Sequence, residues 1–133
     1  VVRSGRATGP ARGGNLAVLQ TLLGTPNEPD LRDAVLVLEE VGEPAYRVDR
    51  MLTHLASSAT FSGVKALISG KLHACGRGGG GPGWWRRLLL EVAPPGIPVV
   101  DGLPFGHVSA NMALPLGVPV EVDTGAGRVT WRP

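Results

Sequence analysis

Ala34-Val35-Leu36-Val37-Leu38 is a continuous apolar run that stops abruptly at Glu39-Glu40-Val41-Gly42-Glu43. Five residues are too few for a self-standing helix, and no polar residue alternates to give the run a wet face. It reads as a β-strand buried on both faces, as in a parallel sheet with covering layers. The flanking sequence supplies such layers. Leu16, Leu19, Leu22 and Leu23 fall at helical spacing, with Asn15 placed to cap the helix and Gly24 to end it. Pro44 opens a second helix whose apolar face is Val48, Met51, Leu52 and Leu55. Arg47, Asp49, Arg50 and His54 occupy its other faces. Residues 84–92 read as a third helix. Residues 64–69 and Ile97-Pro98-Val99-Val100 read as further strands. Residues 118–122 and 128–131 read as a hairpin around Asp123-Thr124-Gly125-Ala126-Gly127. The alternation predicts an α/β fold with a partly parallel sheet, helices packed on it and a C-terminal β-hairpin. Residues 1–12 read as an irregular basic lead-in, residues 25–33 as a loop, and residues 76–83 as a flexible glycine-rich surface loop.

Composition narrows the function classes. With 133 residues the chain is expected to be one domain. Hydrophobic residues make up 43% and charged residues 18%, enough for a core and unlike a disordered polyelectrolyte. No run approaches the roughly 18–20 apolar residues of a membrane span. The start, Val1-Val2-Arg3-Ser4-Gly5-Arg6, has no signal-peptide stretch and no initiator Met. It reads as the second half of something longer. One Cys excludes an intrachain disulfide framework and fits a reducing cytoplasm. The net charge is +2, with eleven Arg and two Lys against eleven acids. Nucleic-acid binding usually needs a basic stripe, and Arg3, Arg6 and Arg12 are the nearest approach to one. No cofactor is expected either. A phosphate-cradling loop needs Lys-Ser/Thr after its glycines, and Trp84-Trp85 follows them here.

A few residues could carry chemistry. Glu39, Glu40 and Glu43 cluster just after a buried strand, where catalytic groups of α/β sheets gather. The plainer reading is a solvated acidic loop paired with Arg47 and Arg50. His107 follows another strand in Pro104-Phe105-Gly106-His107, where Gly106 lets the backbone bend sharply. A lone His after a turn is more often structural or exposed. His54 reads as solvent-facing. His73 and Cys75 offer two ligands where a zinc site needs three or four, so no metal is expected. None of the serines, Ser4, Ser57, Ser58, Ser62, Ser69 and Ser109, sits in a Gly-x-Ser-x-Gly elbow. If the chain serves a serine hydrolase, it offers a base and an orienting acid but no obvious nucleophile.

Four motifs in order resemble the LD-carboxypeptidase family, the muramoyltetrapeptide carboxypeptidases, whose relatives include the microcin-immunity peptidases. They are Gly13-Gly14-Asn15-Leu16, Leu38-Glu39-Glu40-Val41-Gly42-Glu43, Tyr46-Arg47-Val48-Asp49-Arg50-Met51-Leu52, and Gly102-Leu103-Pro104-Phe105-Gly106-His107. Leu114-Pro115-Leu116-Gly117-Val118 fits as well. The resemblance spans nearly the whole chain, residues 1–133, but only the C-terminal half of such an enzyme. It implies a small swivelling β/β/α domain facing a flavodoxin-like N-terminal domain, often in a homodimer. It also implies a Ser-Glu-His triad, with Glu39 as the acid, His107 as the histidine, and the serine on the absent N-terminal domain. Two departures stand out. Gly70-Lys71-Leu72 occupies a place where members commonly carry an acid, and the loop at residues 76–83 is unusual.

The resemblance implies that His107 moves the serine proton while Glu39 sets the imidazole tautomer. Glu40 is the rival acid. Adjacent strand residues point to opposite faces, so only one of the two can meet His107. The expected reaction is hydrolysis of the L,D-amide of a murein tetrapeptide, releasing D-Ala in peptidoglycan recycling. A microcin-like acyl-sulfamoyl or peptidyl-nucleotide amide is the alternative substrate. A non-catalytic interaction module that kept the fold is the alternative of a different class.

Overall fold

Residues 1–132 are described by a computed structural model. Its elements run β1 (Arg6–Asn15), α1 (Leu16–Thr21), β2 (Val35–Glu39), α2 (Ala45–Ala56), β3 (Ala66–Gly70), α3 (Trp84–Val92), β4 (Val99–Leu103), β5 (Pro119–Asp123) and β6 (Arg128–Trp131), with a 3-10 turn at Phe61–Gly63. Six strands form one sheet in the order β4-β3-β2-β1-β5-β6. The first four are parallel, and β5 and β6 add antiparallel beyond β1. The three helices lie in the crossovers between the parallel strands, as this connectivity requires. The sheet curls into a half-barrel.

All five residues of β2 are buried, as the apolar run predicts. Its pleat sorts them into two cores. Leu36 and Leu38 face the helices, packing with Leu16, Leu52, Leu55, Leu67 and Leu89. Val35 and Val37 face the concave side, packing with Ala11, Ile68, Phe105, Val120 and Val122. In α2, Val48, Met51, Leu52 and Leu55 are the buried residues, the face that their spacing predicts.

One reading of the sequence is corrected. Residues 6–12 are not an irregular lead-in but most of β1, the longest strand of the sheet. Its first half, Arg6 to Pro10, pairs with β5, and its second half, Ala11 to Asn15, pairs with β2. Gly9-Pro10 and Gly13-Gly14 hide the strand from propensity rules. Tertiary packing selects glycine here: Gly13 sits at φ +131°, and a Cβ there would lie 2.0 Å from the Val37 carbonyl oxygen. The loop at residues 76–83 is irregular and largely exposed, as expected, and is tied down at its start. Gly76 N–H donates to the Glu43 carbonyl at 2.9 Å, and Ala45 N–H donates to the Arg77 carbonyl at 3.1 Å. A Cβ at Gly76 or at Gly80 would stand 2.8 Å from the Trp84 indole nitrogen, so the glycines let the loop close on that ring.

The end of β2 ties the sheet to α1. The Glu40 side chain turns toward the helices and is buried. Its carboxylate accepts from Ala17 N–H at 2.7 Å, Val41 N–H at 2.8 Å and Asn15 Nδ2 at 3.0 Å. Asn15 in turn caps α1 by accepting from Val18 N–H at 3.1 Å. Free helical N–H groups need such partners. Removing the acceptor strands three donors, so Glu40→Ala is expected to lower unfolding stability by about 2–3 kcal/mol. Urea denaturation checks this. A loss below about 0.5 kcal/mol, the range of ordinary surface substitutions, would refute the capping role.

Candidate active site

The residue next to Glu40 goes the other way. Glu39 is the last residue of β2, on the face that carries Val35 and Val37. There it meets the loop that follows β4. Phe105 anchors this loop, 4% exposed in the concave core. Its fit needs Gly70 at the end of β3, where a Cβ would lie 2.5 Å from the Phe105 carbonyl oxygen and 2.9 Å from its ring. Gly106 then turns the chain at φ +100° and lies flat against Glu39. A Cβ at Gly106 would stand 2.6 Å from Glu39 Oε2.

His107 follows, and its Nδ1 lies 2.8 Å from Glu39 Oε2. The same oxygen accepts from the His107 backbone N–H at 3.3 Å. The two residues are 68 positions apart in the chain. The Glu39 side chain is 9% exposed and that of His107 is 56% exposed. A nearly buried carboxylate thus holds one edge of a ring whose remainder faces outward. With the proton on Nδ1 facing Glu39, Nε2 is left as the basic nitrogen. Glu39 is the ring's hydrogen-bond partner among the described residues. Beside the pair lies a cavity of about 220 Å³, lined by Gly14, Val37, Glu39, Phe105, Asn111 and Leu114 among others.

The hydrogen bond to Glu39, followed by its charge, raises the His107 pKa above the ordinary value. The direction sets the pH behaviour. A raised folded-state value means that the pair stabilises the fold at lower pH, and that this contribution is lost as pH rises through the His107 value. Base capacity runs the other way, because Nε2 accepts a proton only once the ring is neutral.

The other candidates separate from this pair. Glu40 faces α1 and does not meet His107. Glu43 is the acid that pairs with Arg47, at 3.3 Å. The acidic cluster is therefore not one solvated patch: two of its three members are buried on opposite faces of the strand. His54 is exposed and contacts Gln20 Oε1 at 3.0 Å. Cys75 donates to the His73 carbonyl at 3.5 Å, and burial pushes its thiol pKa up, which disfavours the reactive thiolate. Among the described residues no cluster of three or more His, Cys, Asp or Glu side chains could hold a metal. Ser69 is buried, accepting from Trp85 Nε1 at 2.7 Å and donating to the Gly70 carbonyl at 2.7 Å.

A family model described as the LD-carboxypeptidase C-terminal domain matches residues 8–122. A Synechocystis protein bearing a provisional carboxypeptidase name is 37% identical over 131 residues, 97% of this chain and 44% of that protein. Among solved structures, muramoyltetrapeptide carboxypeptidase from Oxalobacter formigenes matches with TM-score 0.81 at 32% identity, covering 96% of this chain and 45% of that one. The microcin self-immunity protein MccF, in complex with glutamyl sulfamoyl guanosine, matches with TM-score 0.84 at 29% identity, covering 96% and 38%. The chain thus spans less than half the length of the proteins it matches.

Two variants test the pair in this chain. Glu39→Gln removes the charge facing the ring, so the His107 titration midpoint, read by NMR, is expected to fall toward about 6.5. Gly106→Ala drives a methyl group into Glu39 and strains the turn, and should lower the midpoint in the same direction. A midpoint unmoved by Glu39→Gln would show that the contact does not govern the ring.

Proposed function

This chain belongs to the LD-carboxypeptidase C-terminal domain family, and from that premise we propose that it supplies the acid and the base of a serine carboxypeptidase site. The observation that carries the reading is the 2.8 Å contact between Glu39 Oε2 and His107 Nδ1. It leaves Nε2 directed away from the acid on a half-exposed ring. The nucleophilic serine then belongs to the domain that precedes this one in the longer protein.

In that complete site His107 Nε2 takes the serine hydroxyl proton as the oxygen attacks the carbonyl carbon of the L,D-amide. The imidazolium returns the proton to the leaving D-Ala amine as the C–N bond breaks. Water repeats the sequence on the acyl-enzyme, with His107 again as base. Throughout, Glu39 keeps the ring in the Nδ1–H tautomer and stabilises its charged form. The substrate is a murein tetrapeptide, by similarity to the Oxalobacter enzyme. The likeness to the MccF complex favours a second reading, in which the scissile amide belongs to an acyl-sulfamoyl nucleoside. A cytoplasmic location, a role in peptidoglycan recycling and a homodimer belong to the same proposal.

The test uses the longer protein that contains this chain, with free D-Ala from murein tetrapeptide and free amino acid from glutamyl sulfamoyl guanosine as readouts. Glu39→Gln is expected to lower turnover on the scale of about 10⁴-fold through a mis-set tautomer, with substrate binding little changed. His107→Ala should cost several orders of magnitude, whereas Glu40→Gln should be much milder. The 133-residue chain alone is expected to release neither product. Full turnover in the His107→Ala protein would sink the reading, as would turnover by the isolated chain that disappears on changing Ser57, Ser58 or Ser62.

A further inference from the structure

The segment between β4 and β5 is held by Phe105 and by a few backbone hydrogen bonds, among them Val108 N–H to the Gly106 carbonyl at 2.9 Å and Gly117 N–H to the Ala11 carbonyl at 2.7 Å. Residues 107 and 109–113 are exposed, and Phe105 is its one buried anchor. Its backbone is closed by a hydrogen bond from Met112 N–H to the Pro104 carbonyl at 2.6 Å. Within that closure Gly106 sits at φ +100°, a region that glycine enters freely and other residues avoid. The residue that immediately precedes the base therefore has a backbone conformation that depends on its being glycine. Glu39 Oε2 takes the His107 N–H and ring but leaves the Gly106 N–H to another partner. That partner is the Asn111 carboxamide oxygen, at 3.1 Å. Gly106 N–H can only donate, so it is Oδ1 and not Nδ2 that faces it. Asn is suited to the task, because its short side chain reaches back to a backbone N–H in turns.

We propose that Asn111 is a positioning residue for His107: its carboxamide clamps the Gly106 N–H and so holds the turn that aims the imidazole at Glu39. The proposal rests on the reading of Glu39 and His107 given above and adds the group that fixes their alignment. Asn111 is hydrogen-bonded to the Gly106 backbone and not to the side chain of either member of the pair. It acts through the backbone. A glycine joint at positive φ can swing, and a swing displaces the ring without disturbing the Phe105 anchor or the sheet. Misplacement by about 1 Å can cost about 10²-fold in rate. The cost falls on the proton-transfer step rather than on substrate binding.

The first measurement uses the 133-residue chain. In Asn111→Ala, Gly106 amide exchange should quicken by about fivefold or more, the effect of losing one ordinary hydrogen bond. The His107 titration midpoint should move toward that of Glu39→Gln, while the strand amides keep their protection. Asn111→Asp retains an acceptor and should keep the Gly106 amide slow. In the longer protein, Asn111→Ala should lower kcat by about 10- to 100-fold with KM within about twofold. Unchanged Gly106 exchange and an unchanged midpoint in Asn111→Ala would overturn the proposal, as would fast exchange in Asn111→Asp. Should Asn111→Ala fail to fold, Asn111→Gly, which also lacks the acceptor, is measured in its place by the same criteria. If Glu39→Gln also leaves the midpoint unmoved, the fault lies in the pair itself and not in its clamp.

Discussion

The two-residue period of β2 governs both the architecture and the site. Buried on both faces, the strand sends Leu36 and Leu38 into the helical core and Val35 and Val37 into the concave core. The same alternation continues through its last turn outward. Glu40 follows the leucines and Glu39 follows the valines, so adjacent carboxylates enter unrelated environments. A carboxylate leaving water needs hydrogen-bond donors in compensation. Glu40 finds two at the start of α1 and a third in the Val41 N–H beside it, and Glu39 finds the backbone and ring of His107. One becomes a joint between layers and the other half of an acid–base pair.

Small residues set how closely the pair can approach. Gly70 admits Phe105, Phe105 plugs the loop into the concave core, and Gly106 lies against Glu39 with no room for a methyl group. Each step depends on the one before. The loop needs the plug because most of its remaining residues are exposed, and the plug needs the gap at the end of β3. The resulting site is asymmetric. Its acid is nearly buried and its histidine is half-exposed, so one edge of the ring is fixed while the rest is open to solvent. The acid and base are 68 positions apart, and two crossovers and two strands occupy the chain between them, so closing the pair costs no separate loop ordering.

Legibility tracked the range of the forces involved. Helical spacing at Val48, Met51, Leu52 and Leu55 read correctly because burial of one face is a local pattern. The hairpin strands at residues 118–122 and 128–131 agree with β5 and β6 within one residue, and β2, β3 and β4 agree within two or three, for the same reason. β1 was missed because its glycines answer to neighbours remote in sequence, the Asp33 and Val37 carbonyls, rather than to strand propensity. The loop at residues 76–83 read correctly as irregular and exposed, but the close approach of Gly76 and Gly80 to the Trp84 ring left no local signal. Asn111 carried no signal beyond the turn-forming habit of its residue type.

The sequence by itself determined the layers, the two carboxylates on opposite faces of one strand end, and the sharp turn before His107. These follow from apolar periodicity and from the stereochemistry of neighbouring residues. It also carried ordered motifs that resemble a known family. Only the tertiary structure decided which carboxylate meets the histidine, since alternation says that the faces differ but not which face the β4 loop covers. That choice was made by the curl of the sheet and by the seating of Phe105 against Gly70, contacts between segments that no local pattern encodes.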